Sequence, residues 1–426
     1  MNIAKYAEAR ARTPLAREGT PPRGGELEIQ ARFYAGEFGL AWTGTDGERV
    51  EALHLGRWNR EPGPDFVGAL LRIDGRETRG DIELDPEDIC WERHGHALNP
   101  AFDNVRLHVF LRAGRSRFFT RTAQNQSVVQ VRLPWESRRP ARGRPDESRP
   151  PDPAAAAGAV RLAAHFRLAR KRERWLRAEA LHGRNEALFQ ALATGLGYKN
   201  NPVPFLLVAQ RVGLARARGR GGEALLFGVA GFLDAVQFDA GRPDARTYLR
   251  GLWDQWWAVR GAEERLVLPA GSWNFAGVRP QNHPHRRLAA LAAVAEKFEE
   301  FENAVTSGSV ENFSRVLGGL SHPYWNRHAS LAAPLSRPCA LVGAQRISDL
   351  AANILAPAAH PHAGPGLLES FPVATPSSKA RKAVKWLGLP DAHPLLSNAF
   401  GQQGLIQIFD DFFPTPAAGV VSECGF

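Results

Sequence analysis

Residues 63–109 read GPDFVGALLRIDGRETRGDIELDPEDICWERHGHALNPAFDNVRLHV. Two apolar runs, Phe66 to Ile73 and Thr78 to Leu84, flank Asp74-Gly75, a dipeptide that favours a tight hairpin turn. Carboxylates stand on both sides of that hairpin, and His94, His96 and His108 follow within fifteen residues. Side chains alternate faces along a strand, so the turn length decides which carboxylates meet. A two-residue turn pairs Ile73 with Arg76 and Asp65 with Leu84, which sends Asp65 and Glu83 to opposite faces. A three-residue turn, or a bulge, sets Asp65 across from Glu83. The alternative is a solubilising hairpin whose polar face carries Glu77, Arg79, Asp81 and Glu83.

Working outward, Glu26 to Phe38 has the spacing of a short one-sided helix. Leu40 to Trp42 and Val50 to Leu55 read as strands around Thr45-Asp46-Gly47. Asp85 followed by Pro86 reads as the start of a short helix reaching His96. Val105 to Leu111 and Val128 to Leu133 read as further strands. Residues 25–135 are therefore expected to form a β-rich domain with few helices. Residues 136–158 (ESRRPARGRPDESRPPDPAAAAG) have the composition of a solvated linker. From residue 159 to 426 the pattern turns to period 3.6, which predicts an all-α domain. The fold class is α+β. Trp253, Trp256 and Trp257 fall at helical spacing and read as core. No fixed-period repeat is present.

The chain has 426 residues, enough for at least two cores. Its net charge of +10 and pI near 10 favour polyanionic partners such as nucleic acid, although abundant arginine is also a compositional habit. Cys90, Cys339 and Cys424 are too scattered for a disulfide framework or a cysteine-based zinc site, which points to a reduced, cytoplasmic setting. The first 24 residues are polar and Arg-rich, without the apolar stretch of a secretory signal. No run approaches a membrane span.

Divalent-metal chemistry needs two or three carboxylates converging on one point. Asp65, Asp81, Glu83 and Asp85 are the candidate ligands. An His-x-His pair with a third histidine can bind a transition metal or move protons, which makes His94, His96 and His108 candidates. Each could equally be a buried histidine bonded to a carbonyl. In the helical half, Arg279, Arg286 and Arg287 crowd a helix N-terminus, which is unfavourable for the macrodipole unless an anion or a buried pairing compensates. Lys379, Arg381 and Lys382 line a basic helix that could track a phosphate backbone or merely face solvent.

GPDF, GDIEL and WERHGHALNPAFDNVRLHV resemble the signature of a bacterial family, the domain-of-unknown-function 2851 family. Its members show G-P-D-F, G-x-V-E-I-H, W-x-x-H-x-H and N-V-x-L-H-V in that order. The resemblance extends to GLGYKNNPVPF (195–205), VRPQNHPHRRLAALA (278–292), NILAP (353–357) and GQQGLIQIF (401–409). Asp85 stands where the family has its histidine, and Cys424 stands alone where relatives often carry a cysteine cluster. A looser resemblance links Pro64-Asp65 and Glu83-Leu84-Asp85 to the PD-(D/E)XK nucleases, whose restriction-endonuclease-like fold holds Mg²⁺ or Mn²⁺. That likeness implies Asp65 and Glu83 as metal ligands, Glu26 or Glu28 as an additional helix carboxylate, and a phosphodiester substrate. Asp85 replaces the lysine, so His96 or His108 would have to move protons. The expectation is a metal-dependent nuclease. The alternatives are a non-enzymatic nucleic-acid-binding or scaffold protein, and a histidine-ligated metal-dependent hydrolase.

Overall fold

The computed structural model describes residues 25–114, 120–134, 152–233, 243–331, 333–359 and 364–413. The N-terminal arm, most of the linker stretch and the tail with Cys424 lie outside the described residues. These residues form two compact units, one of 25–134 with 176–181 and the other of 152–175 with 182–413. The first is β-rich and the second largely helical, an α+β chain.

In the β-rich unit, helix α1 (Glu26–Tyr34) is followed by β1 (Ala41–Thr43), β2 (Arg49–His54), β3 (Arg57–Trp58), β4 (Phe66–Ile73) and β5 (Arg76–Glu87). A short helix α2 (Cys90–Arg93) and two 3₁₀ turns lead to β6 (Val105–Arg112) and β7 (Val129–Arg132). The sheet order is β1-β2-β4-β5-β6-β7, with β3 also on β4. β4 and β5 are antiparallel, while β5, β6 and β7 run parallel. Phe33 and Tyr34 of α1 pack against Phe66 at 5.3 and 5.8 Å between ring centroids, the first tilted and the second stacked. Trp91, Phe102, Val105 and Val128 form a smaller buried cluster under the crossover.

The hairpin turn is the two-residue one. Ile73 pairs with Arg76, and Asp74 and Gly75 both take positive φ, 47° and 85°. That register alone would separate Asp65 from Glu83. A bulge intervenes: Ala69 still pairs with Gly80, but Phe66 pairs with Ile82. Gly68, at φ 75°, is the residue that turns out of line. Its N–H is bonded to Asp81 Oδ1 at 2.9 Å. Asp81 therefore serves the bulge. One residue is absorbed, and Asp65 falls opposite Glu83.

Gly56 presses on the same bulge. At φ 78°, a Cβ there would lie 2.4 Å from Val67 O and 2.8 Å from Ala69 N. Gly68 has open space around it. Gly68→Ala is expected to cost only about 1 kcal/mol, the strain of a left-handed alanine. Gly56→Ala adds a backbone clash and should cost upwards of ~3 kcal/mol, in the range of overpacked cores. Urea unfolding of both variants checks the ranking.

The helix expected at Pro86 is corrected. β5 runs through Pro86 to Glu87, and α2 starts at Cys90. Pairing with β4 ends near Ile82, so Pro86 sits where one flank of β5 is open and its missing N–H breaks no ladder bond on that side.

In the helical unit, the long helix α3 (Pro153–His182) begins inside the stretch read as linker. Asp152 Oδ2 accepts the Ala155 N–H at 3.0 Å, Pro153 occupies the first turn, and Ala156 and Ala159 are fully buried. Small side chains that look like spacer become core because Ala380, Val384 and Leu405 pack on them. Trp256 is buried against Gly228, but Trp257 is 56 % exposed and stacks on the half-buried Trp253, so the three do not all join the core. His283 and His285 open the helix Pro284–Glu296, where burial pushes His283 from 6.5 down to about 4 and also lowers His285. A base depressed in the folded state contributes stability that is full above its ordinary value and falls as protonation is forced. Thermal melts should therefore drop on acidification from pH 6.5 toward 4, and His283→Asn should flatten that part of the curve.

Candidate metal centre

Alternation along β5 puts Asp81, Glu83 and Asp85 on one face and Ile82 and Leu84 on the other. The parallel register adds His108 from β6, directly beside Glu83. The crossover after α2 brings in His94 and His96. The bulge brings in Asp65, and α1 contributes Glu26 and Gln30.

The bonds are specific. The Asp65 N–H donates to Glu83 Oε2 at 3.1 Å, and the Leu84 N–H donates to Asp65 Oδ2 at 2.9 Å. Gln30 Nε2 donates to Asp65 Oδ1 at 2.6 Å and to Glu26 Oε1 at 2.9 Å. Asp85 Oδ2 lies 3.1 Å from His108 Nε2, and Asp85 Oδ1 lies 3.3 Å from His94 Nδ1. His96 Nε2 lies 3.2 Å from Glu83 Oε1. That approach is close but out of line, and both ring nitrogens of His96 are buried without a hydrogen-bond partner among the described residues. Phe102 stacks on the imidazole at 3.9 Å and Trp91 meets it edge-on at 5.3 Å, fixing the ring.

Glu83, Asp85, His96 and His108 are buried, while Glu26 and His94 sit at the open rim. Burial pushes the Asp65 carboxyl well above its ordinary range, with the charges of Glu83 and Glu26 adding and the Leu84 amide opposing. Burial does the same to Glu83, with Asp85 adding and the Asp65 amide opposing. Partial desolvation, then Asp85, raises Glu26, while His94 and His96 pull it down. His96 is lowered by burial against the opposing pull of Asp85 and Glu26. Crowded carboxylates that resist ionisation together with a neutral imidazole favour a cation. One oxygen each of Glu83 and Asp85 and one nitrogen of His96 lie within 4.8 Å of one another. Asp85, His94 and Cys90 Sγ do likewise.

Of the sequence candidates, Asp65, Glu83, Asp85, His94, His96, His108 and Glu26 come together. Asp81 is used by the bulge, and Glu28 pairs with Arg32 at 3.4 Å. Gln30 was not anticipated. Its signal was its place four residues after Glu26, one helical turn on. The proposed phosphate contacts divide. Arg286 and Arg287 are buried, their guanidiniums donating to the carbonyls of His328, Cys339, Ala340 and Leu341, so the pairing at that helix start is internal. Lys379 binds Asp410 Oδ1 at 2.6 Å. Arg279, Arg381 and Lys382 are exposed.

No helix among the described residues is long and apolar enough to cross a membrane. Neither curated proteins nor solved structures yield a match to the chain. A family profile described as "Protein of unknown function (DUF2851)" matches residues 39–135 and 156–364, from the first strand through all the site residues on the sheet, and stops short of GQQGLIQIF. With well over half of its 426 residues matched, the chain belongs to the DUF2851 family.

Proposed function

We propose that the β-rich unit is a metal-dependent phosphodiester hydrolase, a nuclease by class. The observation that supports this reading is the bulge at Gly68, which turns Asp65 toward Glu83 with Asp85 and His96 alongside. Glu83, Asp85 and His96 would hold the ion. A bound divalent cation supplies charge for the phosphoryl oxygens and lowers the pKa of a water. Asp65, whose proton affinity is raised, takes the proton of the attacking water. His94, at the rim, donates to the leaving oxygen. The mixed oxygen and nitrogen donors favour Mn²⁺ over Mg²⁺. The family match carries no activity, so the reading stands on the geometry and on the chain's +10 charge, which suits a polyanionic substrate.

The test is cleavage of single- and double-stranded DNA and RNA with Mn²⁺, Mg²⁺ or chelator, wild type against Asp65→Ala. Mn²⁺-dependent cleavage that Asp65→Ala lacks supports the reading. Equal cleavage by both proteins, or none by either with any ion, sinks it.

A further inference from the structure

Tyr198, in the helical unit, holds its backbone at φ 57°. A bulky side chain there is strained, and the ring that it carries is 43 % exposed. The Arg346 guanidinium lies over the ring at 3.8 Å and Lys199 Nζ stands 5.5 Å from its centroid. The loop after Tyr198 is tied to a second one. Asn201 Nδ2 donates to Asn274 O at 2.8 Å, the Asn274 N–H returns to Asn201 Oδ1 at 2.7 Å, and Asn200 Nδ2 donates to Ala276 O at 3.1 Å. Those bonds hold Phe275, 44 % exposed, on the adjoining loop. Arg279 follows four residues later and is exposed. Arg346 shares its charge with Asp349 at 3.1 Å.

We propose that this face binds single-stranded nucleic acid, with bases stacking on Tyr198 and Phe275 and phosphates meeting Lys199 and Arg279. Half-exposed aromatic rings, one of them with cations beside it, suit unstacked bases, which a duplex does not present. The paired asparagines keep the two loops in fixed relation, so ordering them costs the complex little. The face lies in the other unit from the metal centre and uses none of its residues. It draws on the phosphodiester reading only for its ligand class.

The experiment is fluorescence anisotropy of the full chain with labelled oligo-dT, oligo-U and a DNA duplex, always with chelator present. The wild type should bind the single strands more tightly than the duplex. Tyr198→Asn removes the ring but suits the left-handed backbone. It should bind about tenfold more weakly, the effect of one lost base stack, while melting no lower than wild type. Tyr198→Phe should bind like wild type, and Lys199→Gln should lower the salt slope by about one. A stronger response to oligo-U than to oligo-dT would assign the ligand to RNA, the reverse to DNA. No binding, preference for the duplex, unchanged binding by Tyr198→Asn, or weaker binding with a lowered melting temperature would each overturn the proposal. Because chelator is present throughout, failure of cleavage with oligonucleotide binding intact counts against the hydrolase reading alone.

Discussion

Glu83→Gln is expected to bind Mn²⁺ at least about a hundredfold more weakly than wild type by calorimetric titration, and to fold more stably without metal. Even outer-shell changes around a bound metal cost 10- to 100-fold, so losing a ligand oxygen should cost at least about that. The gain in stability follows from the sign of the shift. Glu83 is raised above its ordinary 4.5 because burial and Asp85 disfavour its charge. A carboxylate raised in the folded state contributes stability that is full below the ordinary value and is lost as pH rises through the raised one. Near neutral pH the wild-type carboxylate therefore weakens the apo fold, and glutamine removes that cost. Its amide oxygen can still accept the Asp65 N–H that Glu83 Oε2 now holds at 3.1 Å. A purely structural Glu83 would give the opposite stability result. Weaker metal binding with a lower melting point would count against the metal centre.

Arg286→Ala is expected to unfold the helical unit at far lower urea than wild type. The side chain is fully buried, and its two terminal nitrogens reach His328 O at 3.2 Å, Cys339 O at 2.8 Å and Ala340 O at 2.6 Å. Those carbonyls belong to a stretch with no helix or strand among its described residues, so the guanidinium supplies bonds that a ladder would otherwise make. Removing it leaves buried acceptors unsatisfied beside a cavity, a loss of about 4 kcal/mol. Arg286→Lys should recover little, because a point charge cannot meet carbonyls spread over a planar fork. A loss below about 1 kcal/mol, the scale of a solvent-exposed pair, would contradict this account.

The hairpin was legible because Asp74-Gly75 and the alternation around it are local signals. The bulge was legible only as a requirement. Gly68 looks like any other glycine in sequence, and what places the irregularity there is Gly56 from an earlier turn and Asp81 from the partner strand. Pro86 misled for a related reason: it suits a helix start and an unpaired strand flank equally well, and only the extent of β4 decides between them. Arg286 and Arg287 read as cations awaiting either an anion or a buried pairing, and the choice stayed open because carbonyls more than forty residues away leave no trace in their neighbourhood. Ala156 reads as spacer because alanine's role depends on what packs against it. The histidines were identifiable as a group, but the idle nitrogens of His96 required the stacking of Phe102 and Trp91 to be seen.

The bulge also makes the two strands of the hairpin unequal in their tolerance of length change. β4 carries one residue more than its pairing uses, and Gly68 is that residue. A deletion at Gly68 straightens the strand and leaves Asp65 facing Glu83. A deletion between Arg76 and Gly80 has no surplus to draw on, and it would set Leu84 opposite Asp65 instead. Natural or engineered variation in length should therefore be admissible on the first strand and forbidden on the second, an asymmetry that random single-residue deletion scored for metal binding would expose.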